Sequence, residues 1–255
     1  MNFKALLKLF SILVMFFSIS FIVPIITSFI YKDGALSIFI ITFLVVFMVG
    51  FLGWLISKNN TEEMTHKDGF LVITLFWIVL SSAGSIPFIL SGMTFIDSFF
   101  ESMSGITTTG ATVIPNLSVL PESLLLYRQL LQWMGGMGLI VLAIAVMPLL
   151  GIGGGQLYKT EIPGAMNDQK LTPRIKETAQ ALWLIYLLLT IFCSVFYFFA
   201  GMNAFDAISH SLSTVSIGGF STYNNSIGHF DNGLIETVCI ILSLIHISEP
   251  TRPNC

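Results

Sequence analysis

Five runs of this 255-residue chain are long, apolar and almost free of charge: residues 9–30, 35–56, 69–90, 130–150 and 179–199. Each is about as long as the ~18–20 apolar residues that carry a helix across a bilayer. Only 10% of the residues are charged, against about 25% in a soluble domain. An all-α polytopic membrane protein is the expected fold class. The first run has a basic start like a signal peptide, but it is too long and no small-residue cleavage site follows, so it reads as a retained span. Pro24 is expected to bend it.

Between the spans lies a repeat. Residues 92–112 recur as 201–221 without a gap, 109 positions later. Gly92, Met93, Asp97, Ser102, Ser104 and Gly110 return as Gly201, Met202, Asp206, Ser211, Ser213 and Gly219. Each copy reads as span, short helix, hydroxyl- and glycine-rich loop, span. The short helices are expected at 95–104 and 205–213, too short to cross a membrane, with loops at 107–110 and 216–219. Asp97 and Asp206, near the helix starts, read as caps that meet free amides and the positive dipole end. Span four holds Gly135, Gly136 and Gly138, which let a neighbouring helix come close.

Irregular chain at membrane depth survives only where it lines a cavity or is buried in protein. Thr107, Thr108, Thr109 and Gly110, and Ser216, Ile217, Gly218 and Gly219, suit a lining role. Their backbone carbonyls can replace the hydration shell of a cation, and glycine permits the dihedral that turns the chain. The short helix before each loop points its negative end at the cavity. Glu101 either holds structure by hydrogen bonding or tunes the outer mouth. His210 takes its place in the second copy and reads as structural. The residues carry no enzyme signature: the four histidines are scattered and no serine has an evident histidine and carboxylate partner. Cys193, Cys239 and Cys255 lack metal or redox spacing. A net charge of -3 gives no sign of a nucleic-acid partner.

With the N-terminus in the cytoplasm, the inner side receives Lys4, Lys8, Lys58, Lys67, Lys159, Lys170, Arg174 and Lys176, and the outer side only Lys32 and Arg128. This is a positive-inside bias, and it makes both short helix–loop elements enter from outside. The glycine-rich start of the 151–178 loop lacks the Lys-Ser/Thr ending of a phosphate loop. A last span starts near Gly233 and offers 14 residues, 234–247, about 21 Å of helix against a core of about 30 Å. Residues 248–255 look like translated adapter or vector sequence.

The run Glu101-Ser102-Met103-Ser104-Gly105-Ile106-Thr107-Thr108-Thr109-Gly110-Ala111-Thr112 resembles the first selectivity-filter segment of the TrkH family of bacterial potassium-uptake subunits. The run from His210-Ser211-Leu212-Ser213 to Gly218-Gly219-Phe220-Ser221 is similar to the second. The intervening loop resembles the family through Gly153-Gly154, Gln156-Leu157-Tyr158, Glu161, Pro163-Gly164 and Pro173-Arg174. The resemblance covers about residues 1–243. It implies repeats of span, pore helix, filter and span around one potassium pathway, as in potassium channels, with residues 1–57 as two extra helices. The first repeat would be 69–150 and the second 179–247, two of a family total of four. The transported ion would be K+, with no cofactor. Partners would be a second copy, a cytosolic nucleotide-binding TrkA-like ring and inner-membrane lipid. A non-conducting membrane scaffold and a re-entrant-loop secondary cation transporter stay open beside it, as does coupling to a proton or sodium ion.

Overall fold

Prolines decide where the long helices break. A computed structural model describes residues 3–59, 66–150 and 171–244, with side chains for all of these but 66, 67, 69, 70, 139–150, 171–179 and 244. Among the described residues every regular element is helical. The first segment is α1 (Phe3–Ser18) and α2 (Ile22–Tyr31), joined by a 3₁₀ turn at Ile19–Phe21. The turn lies just before Pro24, whose ring and missing N–H disturb the preceding turn. The helix starts at Phe3 rather than residue 9, so Lys4 and Lys8 lie within it. Lys8 Nζ donates to the Lys58 carbonyl at 3.2 Å, at the end of α3 (Leu36–Ser57), where unpaired carbonyls favour a cation.

The third segment is α4 (His66–Gly84) and α5 (Ile86–Leu90), interrupted at Ser85 ahead of Pro87. The Gly84 carbonyl at this break accepts from the Tyr127 hydroxyl at 2.9 Å. Tyr127 is fully buried, with ring centroids 5.6, 5.5 and 5.5 Å from Phe21, Phe39 and Phe88. One side chain of the following helix thus joins the first three segments.

The chain continues through α6 (Phe95–Ile106), α7 (Glu122–Leu150), α8 (Leu171–Phe199), α9 (Ala204–Val215) and α10 (Gly233–Leu244). Among the described residues, four helices are long and apolar enough to cross a membrane: Phe3–Tyr31, Leu36–Ser57, Leu71–Leu90 and Gln180–Phe199. The fold is a multi-span all-α membrane fold.

Several boundaries differ from those expected. The short helices run to Ile106 and Val215, two residues past the expected ends. Gly105 is tolerated in the last turn because a Cβ there would press on Leu131 at 3.0 Å; its bareness lets α6 pack on α7. Helix α7 begins at Glu122, well before residue 130. Its first turns are polar yet buried, and Asp33, from the α2–α3 turn, accepts the Ser123 amide at 2.8 Å. A cap supplied from 90 residues away in sequence is invisible to local pattern. Residues 171–178 of the expected 151–178 loop are helical, as the start of α8. Residues 151–170, with Lys159 and Lys170, lie outside the described residues, as do 60–65 and 245–255.

The depth of the short helices follows from α7. A Cβ on Gly135 would overlap the Ile106 carbonyl, and one on Gly136 would meet Ser216 at 3.2 Å. Both short helices therefore end beside the same turn of α7. That turn lies 13 residues from Glu122, about 20 Å at 1.5 Å per residue. Gly138 is in ordinary contact with Phe76 at 3.4 Å.

Asp33 gives a pH test. Burial pushes its carboxyl up, but bonds from Ser123, Ser28 and the Ala35 amide outweigh this and hold it below 3.8. A carboxylate with a lowered folded-state pKa stabilises the fold above its unfolded value of about 3.9. That contribution is expected to vanish as pH falls through the lower folded value. Thermal unfolding of the solubilised protein between pH 6 and pH 3 should therefore fall less steeply for Asp33→Asn than for the parent.

Candidate functional site

The two loops that follow α6 and α9 have one backbone, drawn twice. Thr108 (φ 56°) and Gly110 (φ 76°) are left-handed in the first, Ile217 (φ 54°) and Gly219 (φ 82°) in the second. The amides of Thr107, Thr108 and Thr109 donate to Met103, Gly105 and Ser104; those of Ser216, Ile217 and Gly218 donate to Leu212, Thr214 and Ser213. Every one of these pairs is offset by the 109 positions of the sequence repeat.

The helix starts match as well. Thr94 and Asn203 are the N-caps, accepting the amides of Asp97 and Asp206 at 3.2 and 2.8 Å. The expectation that Asp97 and Asp206 are themselves the caps is corrected: they sit three residues in and bond back to the cap side chains at 2.7 and 2.8 Å. The bonding is reciprocal, as in a capping box, except that the carboxylate accepts from the cap side chain rather than from the cap amide. Asp206 also accepts from Thr222 at 2.8 Å and the Tyr223 hydroxyl at 2.9 Å, so its carboxylate is spent on structure.

Glu101 and His210 occupy matching positions behind the loops, both buried. The Glu101 carboxylate accepts from Thr112 Oγ1 at 3.0 Å and the Val113 amide at 3.2 Å. His210 Nε2 lies 2.9 Å from Ser221 Oγ, and Nδ1 lies 2.8 Å from the Asp206 carbonyl. Thr112 and Ser221 are the same position in the two copies. Their hydroxyls then accept the amides of Ile114 and Tyr223, at 3.2 and 3.1 Å. One hydroxyl per loop thus relays between the helix and the returning strand of chain. Of the two open roles for Glu101, hydrogen bonding is the one its geometry displays.

The residues that sequence reasoning missed are on α7. Arg128 was expected on the outer side as a topological charge; it is 1% exposed. Its Nε meets Glu101 Oε1 at 2.7 Å, and its other nitrogens donate to the Ser221 carbonyl at 3.1 Å and Thr112 Oγ1 at 3.2 Å. The guanidinium lies 4.2 Å from the centre of the Phe220 ring. It therefore ties the first loop to the second. One turn on, Gln132 donates to the Gly218 carbonyl at 2.6 Å and accepts the Phe220 amide at 3.0 Å. Gln129, in the amide orientation that satisfies both its ends, accepts the Thr222 amide at 3.2 Å. The signal was present: Glu101 in an apolar setting requires a cation, and Arg128 and Gln132 share a helix face at i and i+4.

Among the described residues no donor reaches the carbonyls of Thr107, Thr108, Thr109 and Gly110, or those of Ser216, Ile217 and Gly219. Gly218 is the exception. Among the described residues no group of three or more His, Cys, Asp or Glu is placed to hold a metal ion.

A multi-span membrane protein with two matched loops, each following a short buried helix, is the class that fold and geometry define. A family model described as "Cation transport protein", TrkH, matches residues 35–246, and the chain belongs to that family. It is 50% identical over 248 residues to the Trk system potassium uptake protein TrkH of Vibrio parahaemolyticus, covering 96% of this chain and 51% of the relative. The TrkH of Escherichia coli K12 is matched at the same identity and coverage. A crystal structure of the potassium transporter TrkH from Vibrio parahaemolyticus superposes with a TM-score of 0.81 at 45% identity, over 96% of this chain and 50% of that one. The chain spans about half the length of these relatives.

The Arg128–Glu101 pair gives a stability test. Removing one partner leaves a buried charge uncompensated, at a cost of about 3–5 kcal/mol. Arg128→Met and Glu101→Gln alone are each expected to lower the unfolding midpoint strongly. The double variant should lose less than the sum of the two, and a double-mutant cycle on thermal unfolding measures the difference.

Proposed function

We propose that this chain is the N-terminal half of the potassium-translocating subunit of a Trk-type uptake system in the bacterial inner membrane, and that its two loops are two of four filter quadrants. The observation that carries this is the row of seven loop carbonyls that no donor among the described residues reaches, beside the middle of α7. Unpaired carbonyls at such depth cost several kcal/mol each unless something meets them. A dehydrated K+ is suited to do so, and the C-terminal ends of α6 and α9 add favourable potential. The names of the relatives, potassium uptake proteins over the same stretch of sequence, support the choice of ion.

In this reading residues 95–106 and 204–215 are pore helices and 107–110 and 216–219 the filter segments. The N-terminus is cytoplasmic, from the excess of basic residues assigned to that side. A second copy and a cytosolic nucleotide-binding TrkA-like ring are the partners, as the family resemblance implies, with the ring on the inner face. The ion passes without chemical change, so the protein's task is to replace hydration at little net cost.

Two loops encircle half an axis. Residues 1–255 alone are expected not to restore growth in potassium-starved, transporter-deficient cells, whereas the same residues joined to the C-terminal half of a TrkH relative should do so. In that joined protein Gly110→Val is expected to abolish potassium flux with normal membrane assembly, because its Cβ would overlap the Gly218 carbonyl at a φ of 76°. Unchanged flux in Gly110→Val would point to a scaffold instead.

A further inference from the structure

The two loops differ at one carbonyl. Thr109 and Gly218 are the same position in the repeat, and among the described residues only Gly218 has its carbonyl held by a side chain. Gln132 Nε2 donates to its oxygen at 2.6 Å, while Gln132 Oε1 accepts the Phe220 amide at 3.0 Å. Both ends of one buried amide are thus bonded to the second loop, two residues apart.

The difference extends to residue size. A Cβ at Gly218 would overlap the Gln132 amide. Thr109 carries a side chain where Gly218 cannot. Gly110 completes the fit from the other side, since a Cβ there would overlap the same Gly218 oxygen. Gln132, Gly218 and Gly110 therefore form one interlocked contact between α7 and the two loops.

We infer that Gln132 is a positioning residue that sets ion selectivity by holding the Gly218 carbonyl, making that oxygen a stiffer and weaker cation ligand than an unbonded one. This rests on the filter reading above. A carbonyl oxygen has two lone pairs, so one donated bond leaves it able to meet an ion. The bond fixes its direction and drains part of its charge. An ion that needs close, strong carbonyls is affected most, so sodium is disfavoured relative to potassium. Without the donor, the oxygen can turn and close on a smaller cation.

The test uses the joined full-length protein, reconstituted in vesicles, with K+ and Na+ as probes. Gln132→Glu keeps an acceptor for the Phe220 amide but cannot donate; Gln132→Met is similar in size and does neither. Both are expected to lower the K+/Na+ uptake ratio by about five- to tenfold, the scale of one hydrogen bond. The K+ half-saturation should shift and the maximal rate change little. Parent-like ratio and half-saturation in both variants would overturn the inference. A second arm needs no transport. Gly218→Ala should lower the unfolding midpoint, and Gln132→Ala in the same chain should restore part of it by making room. Absence of that rescue also overturns the inference. If the parent joined protein itself moves no K+, the filter reading fails, and the rescue alone then decides whether the clasp exists.

Discussion

Much of this structure answers to one constraint: irregular backbone set beside the middle of α7 needs partners beyond a backbone ladder, and in the second loop side chains supply several of them. The partners come from the polar stripe at the start of α7. Arg128, Gln129 and Gln132 bond in turn to the backbone of residues 218, 220, 221 and 222. Their placement explains why α7 starts so early and why its first turns are both polar and buried. Asp33 holds the start of that helix from another hairpin, and Tyr127 locks the same turns into the aromatic core. The first three helices are thus part of what fixes the loops.

The two copies solve one problem with different chemistry. In the first, a carboxylate at position 101 bonds the loop hydroxyl and requires Arg128 to offset its charge. In the second, a histidine at position 210 bonds the matching hydroxyl with no ion pair. The buried Arg128 serves both copies, since it also reaches the Ser221 carbonyl. Symmetry of the backbone is kept while symmetry of the charges is broken.

Much of the fold was legible in residues. Apolar runs located the four helices long and apolar enough to span among the described residues, Pro24 located the break in the first, and the repeat located two short helices and loops with matched backbone. The rest was written in tertiary contacts. The reach of α7 back to Glu122 depends on a cap from Asp33, and the role of Arg128 depends on Glu101 lying against it. A count of basic residues treats Arg128 as a solvated charge, because pattern alone does not reveal an ion pair between elements. The capping was misread by three positions because an acidic residue near a helix start fits either the cap or the third residue.

Ile217 shows best what propensity cannot foresee. A β-branched residue is among the least suited to a left-handed backbone, yet Ile217 adopts φ 54° and is 52% exposed. Packing does not force it there. The bonds on either side do: its own amide to Thr214 at 3.0 Å and that of Gly218 to Ser213 at 2.8 Å. Thr108 adopts the same strain in the first loop. Such residues cost on the order of 1–3 kcal/mol each and persist where the surroundings over-determine them. The strain turns successive carbonyls away from the short helix instead of letting it continue by another turn. Two β-branched side chains of different polarity, threonine and isoleucine, bear the same cost at the same place, so the feature the two copies share is the backbone turn itself.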